Sequence, residues 1–178
     1  MSARGVQAAS PFRRCSRAMA LFLRAAMLTA ACACLLSCAL HDADLSTPDD
    51  REAQAAATLD TFIETLNDLD TEAFLRLFEE DASVFLPFAD SPTRLNGIAE
   101  IRAYIEPFFE NTRGAVGGDP PYMHLKPGDA AVAVYGDSAL VTFQVVHPAV
   151  TSRRTLVLRF REGRYRIAHL HGSNVRPE

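Results

Sequence analysis

His169 and His171 are the residues in this chain whose type and spacing most readily do chemistry. They sit in the segment Gly163-Arg164-Tyr165-Arg166-Ile167-Ala168-His169-Leu170-His171-Gly172-Ser173. Successive side chains of a strand leave on opposite faces, so unbroken alternation puts Tyr165, Ile167, His169 and His171 on one side, with the two imidazoles roughly 7 Å apart. Imidazole titrates near neutrality, so His169 can act as general acid or base, with Arg154 or Arg102 holding an anionic substrate. Two histidines at i, i+2 can also chelate a metal if a third ligand faces them, and His124 or His147 would have to supply it. Nothing in the spacing fixes that ligand, and no metal or other cofactor is expected. The plain alternative is that one ring hydrogen-bonds to backbone or a helix end while the other lines a cavity without reacting.

These side chains need a scaffold, and the hydrophobic pattern supplies one. Leu59, Phe62, Ile63, Leu66 and Leu69 follow helical spacing and predict a helix over 51–67. Asp70 fits the N-cap of a second, shorter helix carrying Phe74, Leu75, Leu77 and Phe78. Ala82 to Phe88 reads as a strand, with Glu79, Glu80 and Asp81 as a solvated turn before it. Ile98, Ile101, Ile105 and Phe108 stripe a third helix, which Pro107 should end or bend near Glu106. Asn111 to Pro121 reads as a flexible loop.

From Tyr122 the period changes to strands near 122–126, 130–135, 139–147, 152–161 and 164–174. Pro127-Gly128-Asp129, Gly136-Asp137-Ser138 and Arg161-Glu162-Gly163 are the turns between them. Three helices followed by a meander predict an α+β fold, the helices packed on a strongly curved antiparallel sheet that forms a cone with a cavity. Tyr104, Phe108, Phe109, Phe85, Phe88 and Phe143 are candidates to surround it, with the Tyr104 hydroxyl as a polar handle. Arg154 shares a strand face with Leu156 and Leu158. Turned inward it would select a carboxylate or phosphate; at a strand edge it would point into water. Arg159, Arg161, Arg164 and Arg166 straddle the last hairpin, as a solvent-facing basic surface or as partners for acids of a neighbouring subunit.

The N-terminal segment has a different composition. Arg4, Arg13, Arg14, Arg17 and Arg24 precede or enter an uncharged run from Ala25 to Leu40, and no Asp or Glu occurs before Asp42. A basic region followed by a short apolar one reads as a secretory signal, with Met1 or Met19 as its start. All four cysteines lie there. Leu35-Leu36-Ser37-Cys38 resembles a bacterial lipobox, so residues 1–38 read as a signal ending in a lipid-modified Cys38. Cleavage after Ala39 is the alternative, giving a secreted soluble protein. Residues 39–50 read as a tether and 51–176 as the domain. Setting the five arginines aside leaves 13 Lys+Arg against 22 Asp+Glu, a balance of about −9. That excess of negative charge disfavours nucleic acid and anionic lipid surfaces as partners.

The order of elements, Leu66-Asn67 before the second helix, Leu77-Phe78-Glu79-Glu80-Asp81-Ala82-Ser83-Val84, and Leu95-Asn96-Gly97-Ile98 before Ile101-Arg102 resemble the nuclear transport factor two-like superfamily. The closing Gly163-to-Ser173 segment is similar to its SnoaL-like branch, which includes the association domain of calcium/calmodulin-dependent kinase. The resemblance implies a cone-shaped α+β barrel that pairs as a homodimer through its outer sheet face. It speaks against steroid-isomerase chemistry, because the general-base aspartate of those enzymes falls at Leu86, before Pro87, and their oxyanion-donating tyrosine at Phe62. A hydrocarbon side chain cannot handle a proton. The kinase domain's acidic residues fall at Arg153 and Arg154, and its pocket arginine at Leu156.

The function expected is therefore that of an exported, lipid-anchored module binding a small, largely apolar ligand without catalysis. His171, Arg154, Tyr104, Phe108, Phe62, Leu86, Phe143 and His124 are the expected pocket residues. The alternatives are a polyketide-cyclase, dehydratase or isomerase type of enzyme using His169, and an assembly module.

Overall fold

The computed structural model describes residues 47–88, 91, 94–147 and 150–175. Cys38 and the expected signal lie outside them. Helix α1 (Pro48–Asp68) opens with a capping box: the Thr47 hydroxyl accepts from the Asp50 N–H at 3.2 Å, and the Asp50 carboxylate accepts from the Thr47 N–H at 3.0 Å. Pro48 fits the first turn, where no donor is needed. The helix thus begins inside the stretch read as tether, because Asp49 and Asp50 favour the positive end of the helix dipole rather than open solvent.

Leu69, at φ 53°, ends α1, and Asp70 starts helix α2 (Thr71–Leu75) by accepting from the Ala73 N–H at 2.9 Å. Strand β1 (Phe78–Phe85) takes in the acidic run read as a turn. Glu79 is buried there, while Glu80 and Asp81 are exposed. Strand pairing overrides the polarity of the run: the Ile167 N–H donates to the Leu77 carbonyl at 2.7 Å. Strand β2 (Leu95–Asn96) leads into helix α3 (Gly97–Val116), which continues through Pro107 instead of stopping. Proline forfeits one rung of the helix, but Ile101, Ile105 and Phe109 are buried on both sides of it and hold the axis in place.

Residues 122–126 are not a strand. Asn67 organises them, its carbonyl accepting from the Tyr122 and Met123 N–H groups at 2.8 and 3.0 Å. Its side chain exchanges two bonds with the Leu125 backbone at 2.7 and 3.1 Å. Strands β3 (Pro127–Tyr135), β4 (Ser138–His147), β5 (Val150–Arg161) and β6 (Arg164–Val175) follow as a meander. Pro127 and Gly128, expected in a turn, begin β3, an edge strand whose first residue needs no ladder donor.

The sheet order is β2-β1-β6-β5-β4-β3. The α+β class holds, but the sheet is mixed and open rather than an antiparallel barrel, since β1 runs parallel to β6 and β2 and β3 remain as edges. Its inner face buries Ala82 and Val84, Val141 and Phe143, Leu156 and Leu158 against Leu59, Phe62, Phe74 and Phe109 of the helices.

One irregularity decides what the last strand presents. Leu158 pairs with Ile167 and Val157 with His169, so Ala168 is an extra residue with no partner on β5. Such a bulge reverses the alternation beyond it. Tyr165 and Ile167 are buried on the inner face, and so are Leu170 and Gly172. His169 and His171 are thereby turned to the outer face, against the single-sided arrangement that unbroken alternation predicts.

Candidate functional site

A cavity of about 60 Å³ lies between the helices and the inner sheet face. Phe62 and Leu66 of α1, Phe108 and Phe109 of α3, and Leu86 and Pro87 after β1 form much of its wall. Among the described residues, Arg154 is the one ionisable side chain in the lining. It reaches the cavity because β5 alternates strictly: Ser152, Leu156 and Leu158 share its inner face and are buried.

The space for the guanidinium comes from Gly172, paired with Arg154 across β5 and β6. A Cβ on residue 172 would lie 2.8 Å from Arg154 Nη1 and 2.9 Å from Pro87 Cδ. Arg154 donates to the Arg153 carbonyl at a long 3.3 Å and has no carboxylate partner among the described residues. Desolvation pushes its pKa down to about 10, which leaves it cationic at neutral pH. A half-buried charge without a counterion favours an incoming anion, because a carboxylate would restore the solvation it has lost.

Phe62 and Phe74 meet at 5.5 Å between ring centroids, and Phe88 covers Phe108 at 5.5 Å. Phe88 is 38% exposed, the most open of these aromatic rings. Of the expected pocket residues, Arg154, Phe62, Leu86 and Phe108 come together here. Phe143 does not reach the cavity lining; it is core, packed edge-on behind Phe62 at 6.1 Å. Tyr104 is half-buried on α3 against the core and also lies outside the lining. His124 is exposed in the loop 117–126, and the backbone of His147 pairs with Val150 at the end of β4. No group of three metal-ligating side chains occurs among the described residues.

His169 and His171 stand on the outer face beside Phe85, which also lines the cavity. His169 Nδ1 shares a hydrogen bond with Ser83 Oγ at 2.8 Å, and the Phe85 ring lies 5.7 Å from His169 and 5.8 Å from His171. Desolvation, then the charge of Arg94 and His171, hold the His169 pKa below the ordinary imidazole value. Neither histidine is in the cavity lining. Arg102, considered as an anion holder, is occupied: it forms a bidentate pair with Glu72 of α2, one arm at 3.1 Å.

Leu170, Gly172 and Pro87 were not apparent as site residues. The clue was Leu170 itself, an apolar residue between two histidines whose inward placement and theirs are incompatible on one regular strand.

A family model described as SnoaL-like domain matches residues 55–177. No curated protein matches the sequence. Among solved structures, an NTF2-like protein of unknown function from Pseudomonas putida is 18% identical with a TM-score of 0.60, covering 72% of this chain and 89% of its own. A proposed dehydratase of the NTF2-like family from Streptomyces avermitilis is 22% identical with a TM-score of 0.61, covering 74% and 100%. A proposed ketosteroid isomerase from Parabacteroides distasonis is 20% identical with a TM-score of 0.52, covering 77% and 94%. At these identities the likeness concerns the fold. The family match, the helix order and the sheet topology together make this chain a member of the SnoaL-like branch of the nuclear transport factor two-like superfamily.

Proposed function

We propose that the domain binds a small, largely apolar carboxylate, with its hydrocarbon part in the cavity and its charge on Arg154. The observation that carries this reading is a half-buried guanidinium without a counterion in a wall that is otherwise hydrocarbon. The room is about 60 Å³, well under the roughly 150 Å³ of an engineered apolar cavity that accepts benzene, so a short-chain acid fits better than a ring. Binding without turnover is the fitting mode, because no general acid or base lines the cavity among the described residues. His169, the candidate for that role, stands on the opposite sheet face.

Isothermal titration calorimetry with short-chain carboxylates and their uncharged amides tests the reading. The acids should bind at least about tenfold more tightly than the amides, the margin one charge-assisted hydrogen bond supplies, and Arg154→Met should erase that preference. Equal binding of acid and amide, or binding of neither, would refute it. The same substitution removes an uncompensated half-buried charge and should raise the melting temperature by a few degrees.

We propose further that the domain works outside the cytoplasm, lipid-anchored through Cys38, as a homodimer. If Cys38→Ser leaves the protein in the membrane fraction, the anchor is wrong; sedimentation of the released domain as a monomer would remove the dimer.

A further inference from the structure

A second set of cationic side chains lies away from the cavity. Arg76 caps α2, Arg102 stands on α3, and Arg164 and Arg166 begin β6; with Glu72 and Glu80 they border a groove of about 260 Å³. None of the six borders the cavity. Their pairing is incomplete. Glu72 is engaged by Arg102. Arg166 donates from Nη2 to Glu162 at 3.3 Å, but its Nε is buried and has no acceptor among the described residues. Arg76 and Arg164 are exposed and have no ion pair among the described residues.

With Glu162 on Arg166, four guanidinium groups against three carboxylates leave a formal excess of one positive charge, on a chain whose net charge is −4. A negative chain repels extended polyanions at a distance. A compact anion inside the groove instead feels the arginines, which act within the Debye length of about 8 Å at physiological salt. The planar forks of arginine match the oxygens of phosphate and carboxylate, and among the described residues the exposed Arg76 and Arg164 have theirs free to do so. Phe78 and Ile98 add apolar surface to the same groove.

We propose that this groove is a second ligand site, for a compact oxyanion, with a phosphate group as its type. It is independent of the cavity reading, since the two sites share no lining residue. The test is a ¹H–¹⁵N titration of the full chain with inorganic phosphate and, separately, phenyl phosphate, at an ionic strength held constant with sodium chloride.

Saturable shifts should appear at Arg76, Arg164 and Arg166, and the Arg76→Gln/Arg164→Gln variant should bind at least tenfold more weakly. Arg154→Met should leave phosphate affinity unchanged. Tighter binding of phenyl phosphate would identify a phosphate ester as the ligand, and equal binding the free ion. A response that does not saturate, that chloride reproduces, or that survives the double substitution would overturn the site. Both substituted residues are exposed, and an unchanged melting temperature confirms the fold. Should the double variant fail to fold, a threefold loss for Arg164→Gln alone decides in favour, and no loss against.

Discussion

The two faces of the sheet use the same strand to opposite ends. On the inner face β6 contributes Leu170 and Gly172, one filling and one leaving space, beside Arg154. On the outer face it contributes His169 and His171, held by Ser83 and Phe85 but outside the cavity lining. Chemical interest and structural placement are thus separated. The titratable pair stands outside the cavity lining, and the cavity relies on one cation and hydrocarbon. The division depends on a single residue, Ala168, which the opposing strand leaves unmatched.

That contrast breaks most completely by inserting one alanine between His169 and Leu170. The insertion shifts the alternation by one residue, so β6 would either lose its pairing with β5 or turn Leu170 outward and the His171 imidazole into the core, and most of the stability, on the order of 5 kcal/mol, should vanish in chemical denaturation. Near-native stability would mean that alternation beyond Ala168 does not set the faces. Next in size is a matched pair. Leu170→Ala should cost about 2–5 kcal/mol, and His171→Ala should stay within about 0.5 kcal/mol, because one is buried and the other exposed. Comparable losses at the two positions would mean that both faces are buried.

Gly172→Ala sharpens the inner side. The added methyl displaces the Arg154 guanidinium and crowds Pro87, so carboxylate affinity measured by calorimetry should fall about tenfold. An unchanged affinity would show that Arg154 does not hold the ligand. The smallest effect belongs to His169. Its folded pKa lies below that of the unfolded chain, so the unfolded state takes up the proton first as pH falls. The associated stability is complete above about pH 6.5 and declines as pH drops towards the folded value. His169→Gln should flatten that part of the profile in denaturation curves between pH 7.5 and 5.5; a parallel profile would show that the imidazole does not contribute.

Much of this arrangement was legible before any coordinates. Helical spacing of Leu59, Phe62, Ile63 and Leu66 found α1, Asp70 marked the next helix, and alternation around Leu156 and Leu158 turned Arg154 inward. The failures share a cause: each rule is local, and a tertiary contact outweighed it. Pro107 was read as ending or bending the helix, and buried Ile105 and Phe109 carry α3 past it. Glu79, Glu80 and Asp81 were read as a turn, yet they fall within β1, between Phe78 and Ser83, which both pair with the last strand. Alternation presumes one residue per pleat, so a bulge is invisible to it, and the histidines were assigned to the wrong face. Cys38 and residues before 47 lie outside the described structure.

The central position of β6 has a consequence for how the molecule comes into being. It lies between β5 and β1, so the strand before it and the first have no neighbour in common until β6 itself has been synthesised. A nascent chain lacking it can hold helices and a β3–β5 meander, but β1 has only the two-residue β2 to pair with. Completion of the sheet therefore waits for the last strand of the domain and requires a loop closure spanning most of it, a slow step by its topology.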